Sequence, residues 1–388
     1  MNEDMIMDDV YGVYADTEFC CNETEESYVI YPDEDRSSTD NNPNGTVVSA
    51  VSDECNGEAE RITINNQIEL YMFLNEHTKS LVENANVFKD FTLRATILDR
   101  SYNAFDISDS ILIYSQKPDA RYVYDEAQIQ EFGLGLKGDA EPVYLLDGVS
   151  DAEEILDERS SKKRGKKSEK KSVTEPDTSD REIMEVLRVL KFYDISQIDA
   201  YPPNETRIEF ADKGAAAEGI VMVSPCELEY SNSAPSRKHA CYDHSKNVIT
   251  YTNGCKSYDS LFADLVCEYA HFEIANMMAT EFYRDEADDS ENRKYIYNRK
   301  SFLFHAECVS YIICKLYDMN PGIYDFAHLH QSWTEMTPVQ LRLNLTRIIT
   351  AALNIDTRIQ NLLRSCLRYM NMPDETEEAP DGGDAYEG

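Results

Sequence analysis

Leu261-Phe262-Ala263-Asp264-Leu265-Val266-Cys267-Glu268-Tyr269-Ala270-His271 is the stretch that decides how this chain is read. It is apolar nearly all round at helical spacing, which predicts a helix buried on every side. The exceptions are Asp264, Glu268 and His271, at i, i+4 and i+7, with Cys267 four residues before His271. One polar strip therefore crosses an otherwise apolar helix. Burying such a strip without partners is costly, so something must satisfy it.

The pattern H-E-x-x-H accounts for a strip of this kind. Two imidazoles one turn apart bind one zinc, and the glutamate between them polarises the metal-bound water. Here the string is Cys-Glu-Tyr-Ala-His. Cysteine thiolate is itself a zinc ligand, at about 2.3 Å, so Cys267 and His271 are candidate ligands and Glu268 the candidate catalytic base. The thiolate donates more charge than imidazole and predicts weakened or absent hydrolysis. A third ligand is sought in Ser301-Phe302-Leu303-Phe304-His305-Ala306-Glu307-Cys308-Val309-Ser310-Tyr311-Ile312-Ile313-Cys314. That segment predicts a second buried helix, with Glu307 on one stripe with Leu303, Tyr311 and Cys314. His305 lies about 200° round the helix from Glu307, so one metal would not take both. Two readings stay open: a zinc held by Cys267, His271 and Glu307, or a metal-free centre in which His271 hydrogen-bonds Glu307 and Cys267 only packs.

Working outward, the chain has 388 residues and a net charge of −36. Residues 1–60 hold seventeen acids and one base, Arg36, and read as a disordered acidic tail, as do residues 373–388. No run approaches the ~20 apolar residues of a membrane span. The acidic N-terminus is not a signal peptide, and the ten cysteines form no CxxC pair. These features point to a cytoplasmic protein with free thiols and no membrane partner. A basic, Ser-rich stretch around Lys162, Lys163, Arg164, Lys166 and Lys167 marks residues 151–180 as a charged linker.

The linker separates two expected domains, 61–150 and 181–372. In the first, Ile68 to Leu81 and Phe88 to Leu98 predict helices, Tyr122-Val123-Tyr124 and Pro142 to Leu146 predict strands, and a short helix ends at Gly133. In the second, Asp180 is expected to cap a helix through Ile183, Val186, Leu187 and Leu190. Strands are expected at Arg207 to Phe210, Ile220 to Val223 and Val248 to Thr252, with helices from Gly254 to about Met370.

These residues resemble the ArdC antirestriction family, which is related to the ImmA/IrrE metallopeptidases. Ala306-Glu307-Cys308-Val309-Ser310-Tyr311 matches the family's A-E-x-V-A-Y-like string, and Trp333 matches a family tryptophan before the last helices. Phe105 to Ala120 resembles the N-terminal motif Y-S-x-x-N-x-x-L-I-x-x-Q-x-P-x-A, and Leu136-Lys137-Gly138-Asp139 its V-x-K-G-E stretch. The resemblance implies an α+β protein: a small N-terminal α/β domain associated with single-stranded DNA binding, then a mainly helical zincin-like domain with a small β-sheet. It places Glu268 as base, with His271 and Glu307 as second and third ligands, in an accessory protein of plasmids, conjugative elements or phages. Cys267 departs from the pattern, and Phe105, Asp106 and Asp109 replace its Tyr-Ser and Asn.

Physical chemistry opposes tight DNA binding. Residues 61–150 hold eight bases and fourteen acids, whereas sequence-tolerant strand binding needs a positive groove and stacking aromatics. The candidates are Arg94, Arg100, Lys117, Arg121 and Lys137, with Tyr102, Phe105, Tyr114, Tyr122 and Tyr124. Two functions follow as expectations. One is a strand-binding protein with a peptidase-like zinc centre acting on a protein substrate or host regulator. The other is a non-enzyme whose acidic surface mimics DNA and occupies a basic host protein.

Overall fold

The computed structural model describes residues 67–164, 183–200, 207–232, 239–252, 257–285, 295–322, 324, 326 and 332–370. Both expected acidic tails, and most of the expected linker, lie outside them. The fold class is α+β, as the sequence predicts.

The first helices are α1 (Gln67–Glu83) and α2 (Ala85–Ile97), separated by Asn84, whose side chain caps α2 by accepting from the N–H groups of Asn86 and Val87. Next is α3 (Ile107–Gln116). Its N-cap, Asp106, forms a reciprocal capping box with Asp109. Each of these two acidic side chains accepts a backbone N–H at the helix start.

The predicted strands and short helix follow as β1 (Val123–Asp125), α4 (Glu126–Glu131) and β2 (Val143–Asp147). Beyond β2, the chain stays helical as α5 (Val149–Arg164), through residues expected to be linker.

A larger difference lies beyond that segment. Residues 183–186 make one helical turn, and the chain then extends as β3 (Arg188–Asp194), which lies between β1 and β2 and is antiparallel to both. Leu190, expected on a helix, pairs with Leu145. The expected start of the second domain at residue 181 thus precedes a strand that belongs to the first sheet.

The next expectations are corrected in part. Arg207 to Phe210 is not a strand, and Ile220 to Met222 form the end of the helix α6 (Lys213–Met222), capped by Asp212. The Ala-rich start of that segment outweighs its β-branched end. A second sheet has the order β4-β6-β5, formed by β4 (Glu227–Tyr230), β5 (Ala240–Asp243) and β6 (Val248–Tyr251). Strand β4 runs parallel to β6 and β5 antiparallel to it, which leaves β5 at an edge.

Three long helices complete the structure: α7 (Tyr258–Asp285), α8 (Leu303–Leu316) and α9 (Pro338–Met370). They pack on one another, and β5 lies along α7. Helix α9 also packs against α1 and α2, and α8 against α2, so one continuous core joins Leu70, Leu74, Phe88 and Phe91 to Ile312, Leu345 and Ile348. Trp333 is buried there, with its ring meeting Phe88 and Phe304 edge-on. No helix among the described residues is long and apolar enough to cross a membrane.

Candidate active centre

The polar strip on α7 is satisfied by neighbours of two kinds. The first is the edge of the second sheet. The N–H of His239, just before β5, donates to Asp264 Oδ2 at 2.8 Å, and the N–H of Tyr242 donates to Glu268 Oε2 at 2.8 Å. An edge strand presents unpaired backbone groups, and two carboxylates one helical turn apart serve them here.

The second kind is a short segment before α8. Arg299 grips Glu268 with both Nη atoms, Nη1 to Oε2 and Nη2 to Oε1, each at 2.5 Å. Glu268 is wholly buried, whereas the Arg299 side chain keeps 33% of its exposure. Bidentate guanidinium–carboxylate pairs are strong and fix both planes. Burial opposes the Arg299 charge, but hydrogen bonding and attraction to Glu268, with Cys267 and Cys241 nearby, more than offset it and raise its pKa.

Two residues before Arg299, the Tyr297 hydroxyl lies 2.7 Å from His271 Nδ1. Its ring stacks on Phe302 at 5.5 Å and 10° and approaches His244 at 5.6 Å. Burial pushes the phenol pKa far up, so it stays a neutral hydrogen-bonding group. Residues Tyr295, Tyr297 and Arg299 are partly buried while Ile296 and Asn298 are exposed, so alternate side chains turn towards the centre.

The candidate residues are placed as follows. Cys267, Glu268 and His271 are all buried on α7, as expected. Glu307 is only partly buried on α8, and its charge, with that of Lys89 on α2, acts on the neighbouring Cys308. Its stripe includes Leu303, which is exposed, so the expectation of a fully buried carboxylate is corrected. His305 is buried away from it, with Nε2 2.8 Å from Asn344 Oδ1.

Among the described residues, no group of three or more His, Cys, Asp and Glu side chains is placed to hold a metal ion. Glu268, the candidate base, already accepts three hydrogen bonds and carries its counter-charge. The structure therefore does not bring Cys267, His271 and Glu307 together as one three-ligand group. The sequence reading missed Arg299. Its signal was a lone guanidinium in Tyr295-Ile296-Tyr297-Asn298-Arg299, shortly before the helix that carries the third candidate ligand.

The expected DNA-binding residues make the following contacts. Arg100 is partly buried and donates to the carbonyls of Leu98 and Phe105 and to Ser110 Oγ. Arg94 pairs with Asp90, and Lys137 donates to Ser196 O. Lys117 is partly buried after α3, and Arg121 lies 5.2 Å from the Tyr122 ring. Beside it, Tyr102, Tyr124 and Phe132 meet edge to face with centroids 5.2 to 5.8 Å apart. Tyr102 is 57% exposed and Phe132 38%. Phe105 and Tyr114 pack inward against Phe192 and Phe91.

No family model matches the chain, and no curated protein does. Among solved structures, the antirestriction protein ArdC from plasmid R388 is similar in two forms. The metal-free form is 15% identical, with a TM-score of 0.40, covering 76% of this chain and 98% of that one. The Mn(II)-bound form is 15% identical, with a TM-score of 0.41, covering 76% and 97%.

Proposed function

We propose that this chain is an accessory protein of a mobile element, of the ArdC antirestriction type, that acts by binding rather than by hydrolysis. The sequence resemblance at residues 105–120, 136–139 and 306–311 supports the antirestriction part. The observation that carries the non-hydrolytic part is the bidentate grip of Arg299 on buried Glu268. A general base must be within reach of the proton it removes and able to accept it. This carboxylate is saturated by Arg299 and Tyr242, and the strip it belongs to joins α7 to β5 and to residues 295–299.

The ligand we assign is single-stranded DNA, bound weakly across Tyr102, Phe132 and Arg121. Exposed rings beside a guanidinium suit stacking without sequence preference, and the surrounding acids limit the counterion release that drives tight binding. The test uses the full chain. Hydrolysis of an unfolded protein substrate should be undetectable with or without added zinc. Turnover that Glu268→Gln abolishes would overturn the non-hydrolytic reading. A labelled oligonucleotide should bind at low salt and be lost on combined Tyr102→Ala and Phe132→Ala. The net charge of −36 favours a second reading, a basic protein partner held by acidic surface, and no oligonucleotide binding at low salt would put it first.

A further inference from the structure

The polar strip on α7 meets a positive charge, but that charge is a side chain. The Arg299 guanidinium sits against the carboxylate of Glu268, and its charge is felt by the Cys267 thiol one residue away on the same helix. Cys267 and His271 are four residues apart, a spacing that puts two donors on one face and lets them chelate one ion. His271 is held through Nδ1 by Tyr297, the kind of outer hydrogen bond that orients a ligating imidazole. Half of a metal-binding apparatus is therefore in place, beside a cation that belongs to the chain.

We propose that Arg299 is the resident cation of this centre, and that its side chain, rather than the cysteine at position 267, keeps metal ions off Cys267 and His271. This deepens the binding-protein reading and rests on it. A divalent ion on those two donors would lie close to a guanidinium that cannot lose its proton. Repulsion between charges a few ångströms apart at an intermediate dielectric lowers an affinity on the order of a hundredfold or more. The guanidinium cannot swing aside without leaving Glu268 as an unpaired buried charge, so the exclusion is anchored. Restoring the histidine of the H-E-x-x-H pattern by Cys267→His leaves the guanidinium where it is and does not restore metal binding.

The probe is cobalt(II) titrated into the full chain, followed by its visible d–d bands and by thiolate-to-cobalt charge transfer in the near ultraviolet. Wild-type protein and Cys267→His should take up no cobalt at micromolar concentration. Glu268→Gln with Arg299→Met removes both charges together and avoids stranding either. That double variant should take up one equivalent, at least a hundredfold more tightly than wild type, with a charge-transfer band that a further Cys267→Ser removes. If it does not fold by near-ultraviolet circular dichroism, Glu268→Gln with Arg299→Gln replaces it, since two amides can hydrogen-bond across the same gap. Uptake by wild type or by Cys267→His overturns the proposal, as does a folded charge-free variant that takes up none. Cobalt binding is read without turnover, so this failure is distinguishable from failure of the non-hydrolytic reading, which only hydrolysis by the wild type would bring about.

Discussion

Replacing Arg299 by methionine should destabilise the protein. The substitution keeps much of the side-chain volume but removes the two hydrogen bonds and the charge that Glu268 receives. Removing one partner of a buried ion pair costs about 3–5 kcal/mol, because the survivor stays buried and uncompensated. Two features of this site reduce that figure. The Tyr242 N–H still donates to Oε2, and the gap left by a side chain 33% exposed admits water to the carboxylate. The expected loss is therefore about 2–3 kcal/mol. Glu268→Gln should cost less, about 1–2 kcal/mol, since Arg299 can turn towards solvent. Combining the two should cost less than their sum, with a coupling of about 1–2 kcal/mol. Urea unfolding followed by fluorescence of Trp333, the only tryptophan and a buried one, measures all four proteins. A loss under about 0.5 kcal/mol for Arg299→Met, or strict additivity in the double variant, would refute the account of the centre as an anchored pair.

Three further outcomes are expected. Gly219→Ala in α6 should destabilise by about 1–3 kcal/mol although alanine is the better helix former, because an added Cβ would lie 2.4 Å from the Phe210 ring; chemical unfolding that shows a gain contradicts this. Arg342→Met should cost about 2–4 kcal/mol in the same assay, since this buried guanidinium on α9 joins Asn75 and Thr78 of α1 to Glu153 of α5. Burial, then the neighbouring Asp106, pushes the Asp109 carboxyl up to about 7 from 3.8. The folded state therefore holds a proton that the unfolded chain releases, and stability falls as pH rises from about 4 to about 7. Asp109→Asn should remove that slope, matching wild type below about pH 4 and exceeding it by up to a few kcal/mol above pH 7; parallel profiles would sink the assignment.

The long helices were legible because their apolar spacing is long and regular: Leu261 to His271 bury as that spacing requires, and Phe302 to Cys314 do so except along the face that carries Leu303 and Glu307. The polar strip on α7 was legible as a demand for partners, and the structure meets the demand with different partners from those expected. Arg299 could not be read as one of them. It ends the short segment Tyr295 to Arg299, and its partner is 31 residues upstream, a separation to which periodicity is blind. Strand β3 was misread because Ile183, Val186, Leu187 and Leu190 have helical spacing, while its pairing partners lie on the far side of the linker. Ile220 to Val223 looked like a strand because branched residues cluster there, but the helix-forming alanines before them decide the local structure.

The position of β3 bears on the order in which the molecule can be made. Strands β1 and β2 are neighbours in sequence but not in the sheet, since the row between them belongs to a segment that begins at Arg188. During synthesis β1 and β2 leave the ribosome first, each lacking the strand it will pair with, and roughly 40 more residues must emerge before that strand is available. Until then Val123, Val143 and Leu145 stay open to solvent or to other chains, which makes this interval the one most exposed to wrong pairing. A fragment that stops near residue 150 would hold that unfinished state permanently, with two strands and nothing to place between them.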